Sequence, residues 1–358
     1  MADLVVAGAG MAGLAAAAEA RRLGATAIVH EKRERPGGSS VLSSGYVWRH
    51  RRFEDFRAEC PGGDEVLQRL VFDRLDDDLR WLESLGAPVL SRETGNPLTT
   101  GVRIDTAGTI AALAREAGDL RTGDPLREIP TGTPVVLATG GFPAGRELLG
   151  QHVTPQAEHL MLRAAPGGEG DGLRLGLDAG AGITAGIGEI YGRNMPATGR
   201  AIPPEDWPRM AQRYARFAQV TNSEGDRCPP PRSWAEIDVL QWTARQPQAR
   251  AWFAVADERL GERVRDETVG EMVAAAREAG APVTKGDGAT VVETVAGITR
   301  TLGGLVIDRE ARAADGVHAV GDDAGGIATG GYTSGLASAL VTGRVAARAA
   351  LGMEGAGG

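Results

Sequence analysis

The chain has 358 residues, enough for one large domain or two of ordinary size. Apolar residues at 42% and charged residues at 24% are typical of a globular protein, and a formal net charge of −8 argues against a nucleic-acid surface. The two cysteines fit no metal or redox spacing, and no apolar run is long enough to span a membrane. The first strand is predicted to begin near Asp3, which leaves no room for a signal peptide. We therefore expect a cytoplasmic enzyme with a small-molecule substrate, without metal, nucleic acid or membrane span.

The first thirty residues predict a strand–helix–strand unit. Residues 4–7 read as a buried parallel strand, residues 11–23 as a helix of small residues, and residues 27–30 as the next strand. Between the first strand and the helix, Gly8-Ala9-Gly10-Met11-Ala12-Gly13 matches G-x-G-x-x-G. The first glycine permits a tight turn, the second lets a pyrophosphate approach, and the third lets helix and strand pack closely. A glycine-rich turn without a nucleotide is the weaker alternative in this context.

Glu31 closes the second predicted strand, where a carboxylate can accept hydrogen bonds from both ribose hydroxyls of a nucleotide. Lys32 follows it directly. The spacing from the glycine motif is the one expected of a dinucleotide site.

The rest of the chain predicts a domain assembled from both ends of the sequence. Helices are predicted at residues 66–85, 109–117, 269–279 and 335–350, and strands at 134–138, 305–307 and 317–320. No strand–helix repeat is visible between residues 143 and 295. We predict an α/β fold with an α+β insert, in which a Rossmann-type domain of residues 1–142 and 296–358 carries a cap domain of residues 143–295.

Three features favour FAD over NAD. Gly37 and Gly38 follow Glu31 closely, and small hydroxyl residues come next, where a ring system would lie flat. The predicted strand at 134–138 ends in Thr139-Gly140-Gly141. The last predicted strand ends in Gly321-Asp322, where the carboxylate would accept hydrogen bonds from the ribitol chain. The amides at the start of the final helix would face the flavin pyrimidine edge.

Other glycine clusters, at residues 168–172 and 180–182, follow no buried strand, so they lack the context of a phosphate site. A second nucleotide site, as an enzyme driven by NAD(P)H would need, is not predicted.

These residues carry a resemblance to a known family. The chain resembles the fumarate reductase/succinate dehydrogenase flavoprotein superfamily, in the branch that includes 3-ketosteroid dehydrogenases and tricarballylate dehydrogenases. The similar segments are residues 8–46, 135–142, 170–181, 220–227 and 303–347. The resemblance implies a bipartite FAD domain with an inserted cap, and substrate held between cap and flavin. It also implies oxidation or reduction of a carbon–carbon bond next to a carbonyl, by hydride transfer with flavin N5.

The predicted FAD contacts come from seven places along the chain. They are Gly8, Gly10, Met11, Ala12 and Gly13; Glu31 and Lys32; Gly37, Gly38, Ser39, Ser40, Ser44 and Gly45; Leu126, Ala138, Thr139 and Gly140; and Gly321, Asp322, Gly335, Leu336 and Ala337.

The sequence departs from the dicarboxylate enzymes of this superfamily at two places. A His before the glycine pair that corresponds to Gly303-Gly304 is replaced here by Thr299-Arg300-Thr301-Leu302, and the loop of residues 330–335 lacks an Arg. The residues that grip succinate or fumarate are therefore missing. Ser39, Ser40 and Val41 fill the region of a flavin-linking His, so we expect non-covalent FAD. The segment of residues 120–134 is also shorter than the hairpin of the relatives.

Tyr332, Ser334 and Arg232 are the candidate catalytic residues. Oxidation next to a carbonyl needs a base for the α proton and a donor that polarises the carbonyl. The ketosteroid-type branch uses a Tyr in the C-terminal glycine-rich loop, and Tyr332 occupies the matching loop with Ser334 beside it. A ring that only packs is the alternative for Tyr332. The resemblance also suggests a proton-delivering cap Arg, for which Arg232 is a candidate and a surface role the alternative.

We expect an FAD-dependent dehydrogenase or reductase acting on a mostly apolar ketone or enone. A flavin oxidase or monooxygenase, and a protein that keeps FAD as a structural scaffold, are the alternatives. The substrate, the direction of reaction and the electron acceptor stay open.

Overall fold

The structure is a computed structural model and describes residues 2–353. The strands are β1 Leu4–Ala7, β2 Ala27–Glu31, β3 Tyr46–His50, β4 Val89–Ser91, β5 Thr99–Ile104, β6 Asp119–Thr122, β7 Val135–Leu137, β8 Met161–Leu162, β9 Ile190–Pro196, β10 Ala218–Thr221, β11 Arg250–Ala256, β12 Arg263–Val264, β13 Glu267–Thr268, β14 Val283–Gly286, β15 Ala289–Thr301, β16 Arg312–Ala314 and β17 Val317–Ala319. The helices are α1 Met11–Arg22, α2 Phe53–Glu59, α3 Glu65–Ser84, α4 Thr106–Glu116, α5 Arg146–His152, α6 Asp171–Asp178, α7 Trp207–Met210, α8 Ile237–Ala244, α9 Val269–Glu278 and α10 Gly335–Ala350. Within residues 2–353 no helix is both long and apolar enough to cross a membrane.

The chain divides into two compact units. The first, called the nucleotide-binding unit below, comprises the chain up to Gly145, Ala164–Ile187 and the chain from Thr301 onward. The second unit comprises Arg146–Arg163 and Gly188–Arg300.

A six-stranded sheet in the order β16-β17-β7-β1-β2-β6 is the centre of the nucleotide-binding unit. All neighbouring strands in it are parallel except the edge pair β16 and β17. Leu137 pairs with both Ala7 and Ala319, so β1, β7 and β17 end side by side. The turns that follow these three strands therefore share one edge of the sheet, which is where ligands bind in folds of this kind.

Two helices of small residues pack against each other in this unit. A Cβ on Gly343 of α10 would lie 2.3 Å from the carbonyl oxygen of Ala12 in α1, so the two backbones approach directly. A separate antiparallel sheet has the order β3-β5-β4. The long helix α3 begins after Asp64, whose side chain accepts a hydrogen bond from the Leu67 amide, 3.0 Å.

The prediction of a strand at residues 305–307 is wrong. Leu305 forms only isolated bridges, with Ile183 and with Ala324. The reason lies in the two glycines before it. A Cβ on Gly303 would meet the Ile187 Cα at 2.2 Å, and one on Gly304 the Asp323 carbonyl oxygen at 2.5 Å. The backbone is therefore inserted between two other segments instead of extending along a sheet neighbour.

The second unit is built on an antiparallel sheet in the order β10-β11-β15-β14, with β8 and β9 also paired to the long β15. Tyr214, Phe253 and Met272 lie in its core, all with no exposed surface. Helix α9 begins with a capping box, in which Thr268 and Glu271 each bond the other's backbone amide.

One segment departs from the predicted division of the chain. The predicted cap domain includes residues 164–187, but these residues pack in the nucleotide-binding unit. The physical reason is a pair of backbone contacts: the Gly170 amide donates to the Gly141 carbonyl, 3.0 Å, and the Gly172 amide donates to the Thr139 hydroxyl, 2.9 Å. The predicted boundary near residue 142 therefore omits a return of the chain to the first unit.

Candidate FAD site

The turn after β1 has the three properties that the glycine motif predicts. Gly8 has φ +104°, and a Cβ there would lie 2.3 Å from the Ala138 carbonyl oxygen. A Cβ on Gly13 would lie 1.9 Å from the Gly8 carbonyl oxygen, so only glycine lets helix and turn pack. Around Gly10 the nearest atom to a Cβ is the Ser40 Oγ at 3.7 Å. The position beside the amino end of α1, where Met11 and Ala12 lie, is thus open to a phosphate.

Glu31 is held in place by backbone amides. The side chain is buried at the end of β2, where Oε2 accepts from the Ala9 amide, 2.9 Å, and Oε1 accepts from the Arg33 amide, 2.9 Å. A carboxylate has about four acceptor positions, so each oxygen can still accept a ribose hydroxyl.

Two further predicted contacts lie near Glu31. Lys32 forms ion pairs with Asp171, 2.6 Å, and Glu169, 2.9 Å. Burial lowers the pKa of Lys32, but the hydrogen bonds to these two carboxylates more than offset it, so the net pKa is raised. Lys32 is therefore engaged with protein carboxylates. Leu126 is half-buried two residues after Asp124, whose amide donates to the Glu31 carbonyl, 2.9 Å.

The loop of residues 37–45 lies against the first turn. The Gly37 amide donates to the Ala9 carbonyl, 2.8 Å, and residues Gly38–Leu42 form a 3-10 turn. Ser40 Oγ accepts from the Met11 amide, 3.2 Å, which places this hydroxyl at the amino end of α1. Ser39 Oγ accepts from the Ala165 amide, 3.1 Å.

Backbone geometry fixes both ends of this serine loop. Gly37 and Gly45 have φ +117° and +81°, and a Cβ on Gly45 would lie 2.2 Å from the Ile104 carbonyl oxygen. The Ser44 carbonyl accepts a hydrogen bond from Arg103 Nε, 3.2 Å.

The turn after β7 is partly open and partly tightly packed. Gly140 has φ +92° with no atom within 4 Å of a Cβ position, whereas a Cβ on Gly141 would lie 2.3 Å from Thr301 Oγ1. Ala138 and Thr139 precede them at the edge of the sheet shared with Gly8. The backbone around Gly140 can therefore approach a ligand without a side chain in the way.

The turn after β17 and the start of α10 complete the predicted contacts. The Gly321 amide donates to Thr342 Oγ1, 3.1 Å, and Asp322 follows it, partly exposed. Helix α10 begins at Gly335 with Ser334 as its N-cap, and the Ala337 amide donates to Ser334 Oγ, 3.3 Å. The Ala337 amide thus already has an acceptor, while Leu336 stays a predicted flavin contact.

Tyr332 and Ser334 both lie against β3. The Tyr332 ring is 5.3 Å from the Trp48 ring at 64°, an edge-to-face contact, and is half-buried. The loop is held because a Cβ on Gly331 would lie 1.8 Å from the Glu59 carbonyl oxygen. The Ser334 hydroxyl donates to the Tyr46 carbonyl, 3.1 Å. The Ser334 side chain therefore has a structural role, since it caps α10 and binds the Tyr46 carbonyl.

Arg232 belongs to the second unit. Its side chain is 84% exposed, with Nε 3.7 Å from Asp238 Oδ2. A solvent-facing ion pair of this kind fits the surface role that was its alternative.

Two histidines flank the serine loop in sequence. His30 Nδ1 lies 3.0 Å from Asp124 Oδ2. His50 is buried between the Trp48 and Phe56 rings, and neither ring nitrogen has a hydrogen-bond partner within residues 2–353. Burial lowers the pKa of His50 to about 4, so it is neutral near pH 7.

Sequence reasoning missed Asp323. This side chain is 1% exposed and accepts hydrogen bonds from the Thr139 amide, the Thr139 hydroxyl and the Gly141 amide. The signal was present as a second acid directly after Asp322. The glycine cluster at 168–172, for which no phosphate role was predicted, packs against the turn after β7, a role that the sequence did not predict.

Comparison with known proteins matches one part of the chain to a family and the whole chain to a fold. The model of the FAD binding domain family matches residues 3–134. No curated protein sequence matches the chain.

Solved structures with the same fold include a flavocytochrome c3 fumarate reductase in an open conformation, with a TM-score of 0.70 at 20% identity, covering 98% of this chain and 78% of that one. The 3-ketosteroid-Δ4-(5α)-dehydrogenase of Rhodococcus jostii RHA1, in complex with 4-androstene-3,17-dione, has a TM-score of 0.70 at 18% identity, covering 98% and 96%. The 3-ketosteroid Δ1-dehydrogenase of Sterolibacterium denitrificans, in complex with 1,4-androstadiene-3,17-dione, has a TM-score of 0.68 at 14% identity, covering 99% and 100%. The FAD binding domain model thus accounts for residues 3–134, and these structures, at 14% to 20% identity, show that the chain shares their fold.

Proposed function

We propose that this protein is a dehydrogenase or reductase that acts on a carbon–carbon bond adjacent to the carbonyl of a mostly apolar ketone or enone, with non-covalently bound FAD. The observation that carries the proposal is the placement of Tyr332, held beside Trp48 in the loop that leads into α10.

The residues present fit FAD. Gly10 and Gly140 leave the backbone accessible where a phosphate and a ring would approach, and Glu31 is oriented by two amides at the end of β2. These three features lie at the carboxyl edge of one parallel sheet, or directly after it. Serines fill the loop that follows, which supports non-covalent binding.

Bound FAD supplies the centre that accepts or gives the hydride. The protein must orient the substrate and stabilise the charge that develops on its carbonyl oxygen. The Tyr332 hydroxyl is suited to this role, because a phenol donates to an oxygen that gains negative charge as the α proton leaves. The edge-to-face contact with Trp48 restricts the ring and therefore aims the hydroxyl.

The substrate class follows from what the sequence has and lacks. The residues that grip a dicarboxylate in this superfamily are replaced at 299–302 and 330–335, whereas the loop Tyr of the ketosteroid-type branch is kept. Two structures of the same fold hold ketosteroids. An apolar enone therefore fits this chain better than succinate or fumarate.

Anaerobic flavin spectroscopy tests the proposal. The protein should be isolated yellow, with FAD that acid or heat releases. 4-Androstene-3,17-dione should bleach the oxidised flavin, or 1,4-androstadiene-3,17-dione should reoxidise the dithionite-reduced flavin. Fumarate serves as the comparison. Reoxidation by fumarate as fast as by any enone would refute the substrate class. An oxidised flavin that no ketone bleaches, together with a reduced flavin that no enone of several ring systems reoxidises, would favour a scaffold role.

A further inference from the structure

Asp323 is a buried carboxylate where three segments of the nucleotide-binding unit meet. It lies on the 3-10 turn Gly321–Asp323 after β17, and its side chain is 1% exposed. The adjacent Asp322 is the residue predicted to meet the ribitol chain, so the FAD contacts leave Asp323 without a role. A buried carboxylate is costly unless it is hydrogen-bonded, and its presence needs a reason.

The hydrogen bonds of Asp323 all point to the turn after β7. Oδ1 accepts from the Gly141 amide, 2.9 Å, and from the Thr139 hydroxyl, 3.0 Å, while Oδ2 accepts from the Thr139 amide. The Thr139 hydroxyl, having donated to Asp323, accepts from the Gly172 amide, 2.9 Å. The carboxylate therefore sets the direction of a chain of hydrogen bonds that ends at the start of α6.

Packing at the same point admits no side chain. A Cβ on Gly172 would lie 2.4 Å from Asp323 Oδ2, so the α6 backbone touches the carboxylate itself. The Gly170 amide donates to the Gly141 carbonyl, 3.0 Å, which ties α6 to the turn a second time. The conformation of residues 139–141 thus depends on Asp323 from both sides.

We propose that Asp323 is a positioning residue of the FAD site, whose ionised carboxylate fixes the turn of residues 139–141 so that FAD affinity depends on it. The proposal rests on FAD binding by this chain and not on the ketone reaction proposed above. The neighbouring Thr139 and Gly140 are predicted to contact FAD directly, and Asp323 acts through them.

The electrostatics make this dependence measurable. Burial, together with the charge of Asp322, raises the pKa of Asp323 to about 6, against the hydrogen bonds from Gly141 and Thr139, which lower it. The turn of residues 139–141 carries no titratable side chain, and on α6 Asp171 is ion-paired with Lys32 and Arg174, each at 2.6 Å. A protonated carboxyl offers fewer acceptor positions to the three donors. FAD affinity should therefore fall as the pH falls through about 6.

The folding stability of the FAD-free protein should depend on pH in the opposite direction to FAD affinity. Because the folded-state pKa lies above the unfolded value of 3.8, ionising Asp323 costs stability, which the fold loses as the pH rises from about 4 to about 6. The contribution of Asp323 to the stability of the FAD-free protein and its contribution to FAD affinity should thus move in opposite directions across this range. An Asp323 that only packs would give the stability trend without the trend in FAD affinity.

The test measures FAD dissociation constants by fluorescence from about pH 5 to about pH 8 for wild type, Asp323→Asn and the exposed control Asp315→Asn. At the alkaline end Asp323→Asn should bind FAD roughly tenfold or more weakly, because an amide cannot accept from all three donors. Its affinity should also lose the pH dependence near 6 that wild type and the control share. Wild-type affinity and pH profile in Asp323→Asn would overturn the proposal.

Thr139 provides a second pair of variants if Asp323→Asn does not fold. Thr139→Ser keeps the hydroxyl that donates to Asp323, so its FAD affinity should still fall as the pH falls through about 6, whatever its absolute value. Thr139→Val removes the hydroxyl at similar volume and should bind FAD several-fold more weakly than Thr139→Ser. Equal FAD affinity of the two variants, whether retained or lost, would contradict the proposal.

Discussion

The two units of this chain use close backbone contacts for different purposes. In the nucleotide-binding unit, Gly8, Gly13 and Gly141 are packed where a Cβ would lie within 2.3 Å of another atom, and all lie at the carboxyl edge of the parallel sheet. In the second unit, Gly192 of β9 would place a Cβ 1.8 Å from the Gly297 carbonyl of β15, within a pair of hydrogen-bonded strands.

The two units differ in whether open backbone lies beside the closely packed glycines. Beside the packed glycines of the first unit are Gly10 and Gly140, where little or nothing surrounds a Cβ. Alternation of closed and open glycines is what a turn needs to hold a phosphate against the backbone. A close strand contact needs only the closed kind.

The largest expected effect follows from this contrast. Gly13→Ala should destabilise the nucleotide-binding unit by about 3 kcal/mol or more and abolish FAD retention, since its Cβ would lie 1.9 Å from the Gly8 carbonyl oxygen. The matched control is Gly150→Ala in α5 of the second unit, also a helical glycine, with nothing within 4 Å. It should be neutral or stabilise by up to about 1 kcal/mol. Urea unfolding measures the stability of the two variants, and absorbance of the bound flavin measures their FAD retention. Similar losses of stability in Gly13→Ala and Gly150→Ala would contradict the contrast between closed and open glycines.

The sequence predicted the elements of the nucleotide-binding unit better than those of the second unit. β1, β7 and α10 lie within a residue of their predicted positions because buried apolar runs bounded by glycine are local signals. The second unit gave few such signals. The 13 residues of β15 pair with several strands from distant parts of the chain, and no local pattern identifies those partners.

In the candidate FAD site, too, the sequence predicted the residues whose contacts are local and not those whose contacts are distant in the chain. The glycines and Glu31 could be named from their spacing, because each requirement involves neighbours in sequence. Asp323 could not, because its partners Thr139 and Gly172 are 184 and about 150 residues away and meet it only through strand order. Ser334 was predicted as a candidate for chemistry, whereas its hydroxyl caps α10.

Acid should weaken the nucleotide-binding unit through His50. Its folded-state pKa of about 4 lies below the ordinary value of 6.5, so stability is full above pH 6.5 and is lost as the pH falls towards 4. Relative to His50→Phe, wild type should lose up to about 3 kcal/mol of unfolding free energy over this range. Urea unfolding at a series of pH values measures the difference. The difference also cancels the opposing trends of Asp323 and of Asp78, a buried carboxylate of α3 whose pKa burial raises to about 6. A constant difference between the two proteins would show that His50 is not buried neutral.

The smallest expected effect concerns the ribose. Glu31→Ala should weaken FAD binding roughly tenfold or more while the fold is kept, because charged hydrogen bonds are lost. Loss of the acceptor for the Ala9 and Arg33 amides adds to this effect. Glu31→Gln, which keeps one acceptor oxygen but loses the other and the charge, should lie between Glu31→Ala and wild type in fluorescence titration. Full FAD occupancy of Glu31→Ala after dialysis would count against the assignment.

The most direct test of the account is anaerobic stopped-flow reduction or reoxidation of the flavin in Tyr332→Phe, with the enone that the spectroscopic titration identifies. Removing a donor that stabilises developing charge costs on the order of a hundredfold in rate. The account predicts that loss, with FAD affinity unchanged and with Tyr191→Phe, in the second unit, reacting as wild type does. A Tyr332→Phe rate within about threefold of wild type would mean that the ring only packs against Trp48, and the proposed chemistry would be wrong.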